Sequence, residues 1–310
     1  MPALPPPELP VSGAQHRIGH DEQRVVITEV GGTLREYLVG GVPVVDGFTE
    51  DEMCPSARGQ VLAPWPNRLA GGRYCFDGKE AHAALDEPAR GNAVHGLMRW
   101  LPWQLQAQAQ NVLVMACVLH PQPGYPWRLA MEIEYRLGRR GLSVTTRASN
   151  LSDTRAPFGV GFHPYLTVGT PTIDTARLRF RAARRLVTDE RGLPTGSSPV
   201  TGSDFDFSTG RLVGSTRLDT AFTSLERDDE GNARIELHNP GAGRRATVWM
   251  DEQFPYVMVF TADTVAPLRR RGSIAVEPMS CPPDAFHGGA EVPAIEPGAS
   301  WTGRWGIEPL

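Results

Sequence analysis

Two titratable residues lie inside segments that are otherwise apolar. Glu277 ends the run SIAVE, and His163 sits in the glycine-rich run PFGVGFHPYL. Charged groups are rarely buried unless they are paired or functional. The ordinary pKa values of glutamate and histidine, about 4.3 and about 6.5, bracket a range in which the glutamate is ionised and the histidine holds a proton. The two residues are therefore a candidate acid–base couple, although His163 taken alone is more typical of a core histidine with one hydrogen-bond partner.

Four more polar residues stand in short apolar or turn-forming segments. Asn67 and Arg68 directly follow Pro-Trp-Pro. His95 lies in GNAVHGL, and Asp219 lies in LDTAF. Each has a structural alternative, such as a surface charge for Arg68 or a turn cap for Asp219. Arginine, histidine and aspartate also hydrogen-bond well to sugar hydroxyls. Four aromatic residues are candidates to stack on a sugar face: Trp65, Trp127, Tyr165 and Trp249.

The sequence lacks the motifs of several other chemistries. It has no phosphate-binding glycine loop, no nucleophile elbow, no HExxH and no zinc-type cysteine–histidine cluster, so we expect no metal and no cofactor. The net charge of -4 and the pI of about 6.1 argue against a nucleic-acid partner. No apolar run approaches the length of a membrane span, which argues against a membrane partner.

The cysteines and the N-terminus favour a reduced, cytoplasmic protein. The four cysteines form no CxxC pair, and 310 residues bury enough core to fold without disulfides. The opening MPALPPPELPVSG has neither the positive region nor the apolar region of a signal peptide. We expect residues 1–20 to be a flexible N-terminal tail and residues 21–310 to be a single domain.

Many short strands are predicted to position the candidate residues. Glycine and proline make up about a fifth of the chain and are well spread, which indicates many turns. The run RLAMEIEYRL, followed by GRRG and LSVTTRASN, alternates apolar and polar residues and predicts a β-hairpin. No segment has the period of a three-turn amphipathic helix, and residues 185–210 are predicted to form a long ordered loop. The predicted fold class is all-β, as one large, mainly antiparallel β-sandwich. The periodicity alone also fits two stacked sandwich domains.

Taken together, the stretches around these residues resemble the aldose 1-epimerase (mutarotase) family. The matching stretches, in the family's order, are VLAPWPNRLAGGRYCFDG, GNAVHGL, PFGVGFHPYL, LDTAF and AVEPMSCPPDAF. They span residues 60–286, and the flanking strands extend the resemblance over nearly the whole chain. The resemblance implies a galactose mutarotase-like supersandwich and a carbohydrate isomerase that needs no cofactor or metal. It also implies a small-molecule aldose as the binding partner.

The resemblance further implies a role for each candidate residue. Glu277 matches the general base that takes the proton of the anomeric hydroxyl, and His163 matches the general acid that protonates the ring oxygen. The other positions match residues that bind and orient the sugar: Arg68, His95 and Asp219, with Asn67 adjoining them. The implied reaction is the interconversion of the α and β anomers of a free hexose through the open-chain aldehyde.

Three positions depart from the galactose-type members of the family. Phe162 stands where those members carry an asparagine, and Thr220 stands where they often carry a histidine. Pro278 stands where they tend to carry a glutamine. The resemblance therefore supports activity on an aldose more strongly than a preference for galactose.

Two alternatives of the same fold stay open. A hexose-6-phosphate 1-epimerase needs further cations around the cleft, for which Arg73, Arg99 and residues 269–271 are candidates. A non-catalytic sugar-binding module needs neither Glu277 nor His163, so the presence of both residues argues against it. The sequence leaves the choice between a monomer and a homodimer open.

Overall fold

A computed structural model describes residues 10–287 and 292–310. Within these residues the chain forms strands and three 3₁₀ turns, with no α-helix, and none of the helical turns has the length or apolar character to cross a bilayer. The turns are Pro55–Ala57, Ile173–Thr175 and Pro267–Arg269. The first thirteen strands are β1 (Gln15–His20), β2 (Gln23–Thr28), β3 (Leu34–Val39), β4 (Val42–Pro43), β5 (Val61–Leu62), β6 (Arg68–Ala70), β7 (Arg73–Phe76), β8 (Lys79–His82), β9 (Asn92–Val94), β10 (Gln104–Gln108), β11 (Val112–Leu119), β12 (Leu129–Gly138) and β13 (Gly141–Asn150). The remaining strands are β14 (Ala156–Pro157), β15 (Gly161–Phe162), β16 (Tyr165–Leu166), β17 (Arg177–Arg179), β18 (Ala182–Thr188), β19 (Pro194–Pro199), β20 (Arg211–Leu212), β21 (Asp219–Leu225), β22 (Ala233–Asn239), β23 (Arg244–Met250), β24 (Tyr256–Phe260), β25 (Ile274–Met279), β26 (Ala294–Ile295) and β27 (Ser300–Pro309).

Most strands belong to two large antiparallel sheets. The nine-stranded sheet has the order β10-β11-β12-β13-β27-β23-β22-β17-β20. The eight-stranded sheet has the order β19-β18-β21-β24-β25-β15-β5, with β16 also paired to β25. One hydrophobic core joins the facing sides of the two sheets, where Phe162 packs on Trp305 with ring centroids 5.0 Å apart. The predicted all-β sandwich is therefore confirmed.

The smaller sheets lie beside this sandwich. The strands β1-β2-β3-β4 form a sheet of four, and three pairs form sheets of two: β14-β26, β6-β9 and β7-β8. The β6-β9 pair is short, but it carries two of the candidate binding residues at its ends, because Arg68 opens β6 and His95 directly follows β9.

The β12–β13 hairpin shows why alternating sequence folds as strand here. Met131, Ile133 and Tyr135 face the core and are at most 2% exposed, whereas Glu132 and Glu134 face the opposite side. The two strands pair in register over their whole length and are joined at the GRRG turn, as predicted.

The predicted end of the N-terminal tail, at residue 20, is corrected. Residues 15–20 are not tail but strand β1, which pairs with β2 and buries Ile18. One buried residue in six gives almost no alternation signal, so the sequence alone conceals this strand. Residues 1–9 lie outside the described residues, and the single-domain assignment of residues 21–310 stays a prediction.

The prediction of a long loop over residues 185–210 is wrong in its first half. Residues 185–199 complete a hairpin, β18–β19, at one edge of the eight-stranded sheet. Neither strand has a fully buried position, so neither shows the apolar alternation that marks a strand packed on a core.

Candidate active site

The register of the eight-stranded sheet brings Glu277 and His163 together. Strand β15 pairs with β25 at Gly161 and Met279. Moving two residues inward along each antiparallel strand places His163 opposite Glu277, and the β16–β25 pairing continues in the same register. The backbone of His163 is anchored on its other side, where its N–H donates to the Gln60 carbonyl at 3.2 Å.

The two side chains are in direct contact and almost completely buried. His163 Nε2 lies 3.3 Å from Glu277 Oε1, and the side chains are 7% and 2% exposed. Within the described part of the chain, His163 Nδ1 and Glu277 Oε2 have no hydrogen-bond partner. Burying polar atoms without partners costs free energy. Groups that keep such atoms are typically retained for their chemistry.

Burial shifts the pKa values of Glu277 and His163 so that the neutral form of each is favoured. Loss of solvent raises the pKa of Glu277 well above its ordinary value, and the negative charge of Asp219 acts in the same direction. Burial also lowers the pKa of His163 to about 3, aided by the positive charges of Arg58 and Arg99. The ordinary pKa values predict an ionised glutamate and a protonated histidine, whereas burial favours the neutral form of each residue. In the forms that burial favours, both groups are neutral and the pair holds one titratable proton in total.

A second ring fixes the orientation of the His163 imidazole. The Tyr165 ring stacks on it with centroids 4.9 Å apart and planes 16° apart. The guanidinium of Arg58 lies 3.9 Å from the centroid of the same Tyr165 ring, and its Nη1 is paired with Asp46 at 3.1 Å. The Tyr165 hydroxyl donates to the Ser56 carbonyl at 3.1 Å. The imidazole therefore rests on a ring that is held at its face and at its tip.

Arg68 stands on the cleft wall in a fixed orientation. Its Nε donates to Glu87 Oε2 at 3.0 Å and its Nη2 donates to Glu87 Oε1 at 3.1 Å. Its Nη1 lies 3.6 Å from Asp219 Oδ2. Against the effect of burial, hydrogen bonds from Arg68 and Asn92 lower the pKa of Glu87, so this carboxylate is firmly ionised. A two-point fork of this kind fixes direction as well as charge.

Two hydrogen bonds link His95 and Asn67. The His95 N–H donates to the Asn67 carbonyl at 2.8 Å, and the Asn67 N–H donates to His95 Nδ1 at 3.3 Å. Burial lowers the pKa of His95 well below its ordinary value, and the neighbouring His163 acts in the same direction. Because Nδ1 of this neutral ring accepts a hydrogen bond, Nε2 carries the proton and can donate to a ligand.

All six candidates border one cavity of about 580 Å³, a volume typical of small-molecule sites. They are Asn67, Arg68, His95, His163, Asp219 and Glu277. Of the four aromatic candidates, Tyr165 alone lines this cavity, because Trp65 and Trp127 are buried in the core and Trp249 lines a different cavity on the nine-stranded sheet. The expectation that those tryptophans stack on the ligand is therefore wrong.

Sequence reasoning missed several residues of the cavity. Glu87 and Trp100 line it, and the fully buried Asn92 bonds Glu87 from behind. Glu87 precedes a proline in a polar, turn-forming stretch, where a carboxylate usually faces solvent. Nothing in that stretch marks it as the partner of Arg68, and only the fold reveals the pairing.

The three departures from galactose-type sequences lie on the other side of the sheet. Side chains alternate along a strand, so Phe162, Thr220 and Pro278 point away from the face that carries Glu277 and Asp219. Phe162 is 1% exposed and belongs to the core. These positions therefore belong to the packing between the sheets and not to the lining of the cavity.

Within residues 10–287 and 292–310, no three His, Cys, Asp or Glu side chains are grouped so that they could hold a metal ion. The polar groups of the cavity form two sets. One is the acid–base pair on the floor, and the other is the Arg68–Glu87–Asp219 cluster on the wall, with His95 between them at 5.4 Å from His163 by ring centroids. Such an arrangement can move protons to and from a ligand that the wall holds in place.

Comparison with known proteins identifies a family. The family model for aldose 1-epimerase matches residues 15–308. The chain is 30% identical to the uncharacterized protein YihR of Escherichia coli, over 96% of this chain and 94% of that protein. It is 26% identical to the galactose mutarotase of Homo sapiens, over 83% and 80% of the two chains, and 25% identical to the aldose 1-epimerase of Escherichia coli, over 90% and 80%.

Solved structures share the fold. The GalM/aldose epimerase homologue of C. elegans superposes with a TM-score of 0.83 at 16% identity, covering 96% of this chain and 99% of that one. The galactose 1-epimerase of Lactobacillus acidophilus gives a TM-score of 0.77 at 18% identity, covering 94% and 92%. The family match spans strands β1 to β27 and therefore both sheets, the cavity and all six candidate residues. The chain belongs to the aldose 1-epimerase family.

Proposed function

We propose that this protein interconverts the α and β anomers of a free hexose by opening and reclosing the hemiacetal ring. The observation that carries the proposal is the buried contact between His163 and Glu277 at the floor of a cavity that Arg68, His95 and Asp219 border. Ring opening needs one group to remove a proton and a second to supply one, and this pair provides both.

The reaction balances on the residues of the cavity. Glu277 takes the proton of the C1 hydroxyl while His163 gives a proton to the ring oxygen, and the bond between C1 and the ring oxygen breaks. The resulting open-chain aldehyde rotates about its C1–C2 bond. Closure on the other face returns a proton from Glu277 to the C1 oxygen and a proton from the ring hydroxyl to His163. The sugar leaves as the other anomer, and the pair regains its starting protonation.

The number of protons that the pair holds suits this reversible reaction. The active form, with Glu277 ionised and His163 protonated, has the same total number of protons as the neutral form that burial favours. The two forms are therefore linked by an internal transfer, and no proton has to enter from solvent. A raised pKa also makes Glu277 a stronger base than an exposed glutamate.

The placement of the cations supports a neutral hexose over a hexose 6-phosphate. Of the arginines named as phosphate candidates, Arg99 lines the cavity, and it is already paired with Asp86. Arg90, also in the lining, lies 3.8 Å from Glu87. A phosphate would have to compete with both carboxylates for these cations.

The other phosphate candidates are placed elsewhere. Arg73 lines a separate cavity with Tyr74 and His82. Two arginines of the 269–271 run are paired with carboxylates away from the cavity: Arg269 with Glu52, and Arg271 with Asp174 and Asp263. These contacts favour a structural role for the run.

The experiment is anomer interconversion measured on sugars with and without a phosphate. Polarimetry of freshly dissolved α-glucose and α-galactose should show faster relaxation with the protein than with heat-denatured protein. Exchange NMR on glucose 6-phosphate should show a much smaller acceleration. A folded protein that accelerates no aldose overturns the proposal, and a clear preference for the phosphate ester establishes the hexose-6-phosphate alternative.

The binding-module alternative gives a different result in the same assay. A sugar-binding module without catalysis binds an aldose but leaves its relaxation rate at the buffer value. The burial of an acid–base pair with unpartnered atoms, which binding alone does not require, supports the enzyme.

A further inference from the structure

The tip of the β18–β19 hairpin is an ordered turn that reaches the cavity wall. Asp189 Oδ1 accepts hydrogen bonds from the backbone N–H groups of Arg191 and Leu193, both at 2.9 Å. The Gly192 N–H donates to the Asp189 carbonyl at 3.0 Å. The turn therefore presents Arg191 and Gly192 in a defined geometry at the end of an otherwise exposed hairpin.

Arg191 binds the segment that leads into β9. Its Nε donates to the Arg90 carbonyl at 2.8 Å, and its Nη2 donates to the Gly91 carbonyl at 2.7 Å. The fully buried Asn92 completes the contact, because its Nδ2 donates to the Arg191 carbonyl at 3.0 Å and to Glu87 Oε2 at 2.8 Å. One amide thus joins the hairpin tip to the carboxylate that holds Arg68.

Gly192 lies directly against the guanidinium of Arg68. A Cβ placed on Gly192 would lie 2.7 Å from Arg68 Nη1, 2.9 Å from Cζ and 3.0 Å from Nε. The three distances are nearly equal, so the flat face of the guanidinium rests on the glycine. The φ angle of +78° also favours glycine here. Any residue other than glycine would place a side-chain atom here and displace the guanidinium or the turn.

We propose that Arg191 and Gly192 form a clasp that positions Arg68 for sugar binding. Glu87 holds the Arg68 fork at its edge and Gly192 holds it at its face, while the contact to Asp219, at 3.6 Å, is too long to fix it alone. The clasp touches neither Glu277 nor His163, so it sets the affinity for the sugar and not the proton transfer. This inference rests on the proposed function and assigns positioning residues to the same site.

Two variants test the clasp. Arg191→Gln removes the guanidinium from the 90–92 segment, and Gly192→Ala pushes the face of Arg68. Each is expected to raise the KM for the aldose and its Kd by calorimetry about tenfold, the loss expected for one or two charge-assisted hydrogen bonds, with kcat within twofold. Arg184→Gln is the matched control, because Arg184 bonds Ser197 within the same hairpin. It should leave KM and kcat unchanged.

A double-mutant cycle separates positioning from general stability. In an Arg68→Gln background, Arg191→Gln should raise KM no further, because the residue that the clasp positions is gone. The thermal midpoints of Arg191→Gln and Arg184→Gln should agree. Equal rises in KM in both backgrounds, or an Arg191→Gln protein with wild-type Kd and KM, overturn the clasp.

The same measurements separate a failure of the clasp from a failure of the proposed function. If the wild-type protein binds an aldose but does not accelerate its interconversion, the proposed function is wrong, and the Kd values alone decide on the clasp. If the wild-type protein is active and the hairpin variants keep its Kd and KM, the function stands and the clasp is wrong.

Discussion

The floor and the wall of the cavity treat their charged groups in opposite ways. On the floor, His163 and Glu277 are almost fully buried, and each keeps one polar atom without a partner in the described part of the chain. On the wall, Glu87 accepts hydrogen bonds from Nε and Nη2 of Arg68 and is itself bonded by Asn92. Groups left unsatisfied are free to exchange protons, and groups that are satisfied are held still.

This difference assigns a task to each region. The floor lies in the middle of the eight-stranded sheet, where strand pairing fixes the backbone and burial sets the pKa values. The wall is built from short strands and a hairpin tip, and its rigidity comes from side-chain bonds. Changes on the floor should therefore affect kcat, whereas changes on the wall should affect KM.

The largest expected effect comes from breaking the floor. Glu277→Gln and His163→Asn should each lower kcat by about 10²–10⁴-fold with little change in KM, the usual contribution of a general acid or base. Because the pair acts as a unit, the double variant should be no slower than the poorer single variant. Polarimetry and exchange NMR give the rates.

The controls for the floor are exposed residues of the same types. Glu80 and His82 lie on β8 with exposed side chains. The variants Glu80→Gln and His82→Asn should therefore keep full activity. Losses in the floor variants that multiply in the double variant would show that Glu277 and His163 work independently, contrary to a pair that acts as a unit.

A smaller effect is expected from loosening the wall. Glu87→Gln keeps the shape of the side chain but removes the charge that orients Arg68. KM should rise about tenfold, the cost of one charge-assisted hydrogen bond, and kcat should change less than twofold. Steady-state kinetics against the Glu80→Gln control measures both. A fall in kcat at constant KM would remove the distinction between wall and floor.

The smallest effect concerns stability. The folded pKa of Glu277 is raised, so between its ordinary value and the raised value the folded chain holds a proton that the unfolded chain has released. Stability is therefore lost as pH rises through this window, and a neutral glutamine avoids the loss. Glu277→Gln should melt a few degrees higher than the wild type at pH 8, with the difference vanishing at pH 4. A melting difference that is the same at both pH values contradicts the raised pKa.

The residues of the floor were predictable from sequence because their segments are distinctive. A glutamate at the end of SIAVE and a histidine in PFGVGFHPYL stand out against apolar neighbours. The family resemblance then assigned their roles. The contact between the two depends on the register of β15 on β25, which no local pattern specifies.

The wall was only partly predictable. Arg68 follows a distinctive Pro-Trp-Pro, but Glu87 and Asn92 lie in a polar stretch that resembles solvent-exposed loop. The hairpin that carries Arg191 and Gly192 has no buried face, so it lacks the alternation that identifies strands. Its importance comes from contacts between segments about 100 residues apart.

Strand phase explains why the departures from galactose-type sequences are less informative than expected. Phe162 is adjacent to His163 in the chain, yet it packs on Trp305 in the core. A shift of one residue along a strand moves a side chain to the opposite face. Substrate preference should therefore be sought in residues that line the cavity, such as Arg99 and Trp100.

The pH dependence of kcat/KM tests most directly whether the buried pair is neutral and holds one titratable proton. Burial lowers the pKa of His163 to about 3, so a second proton binds to the pair only near that pH. We expect kcat/KM, after subtraction of the buffer-catalysed rate, to stay level from pH 6 to pH 4 while circular dichroism shows the protein folded. A fall of threefold or more across this interval, as an ordinary glutamate of pKa about 4.3 would give, contradicts it.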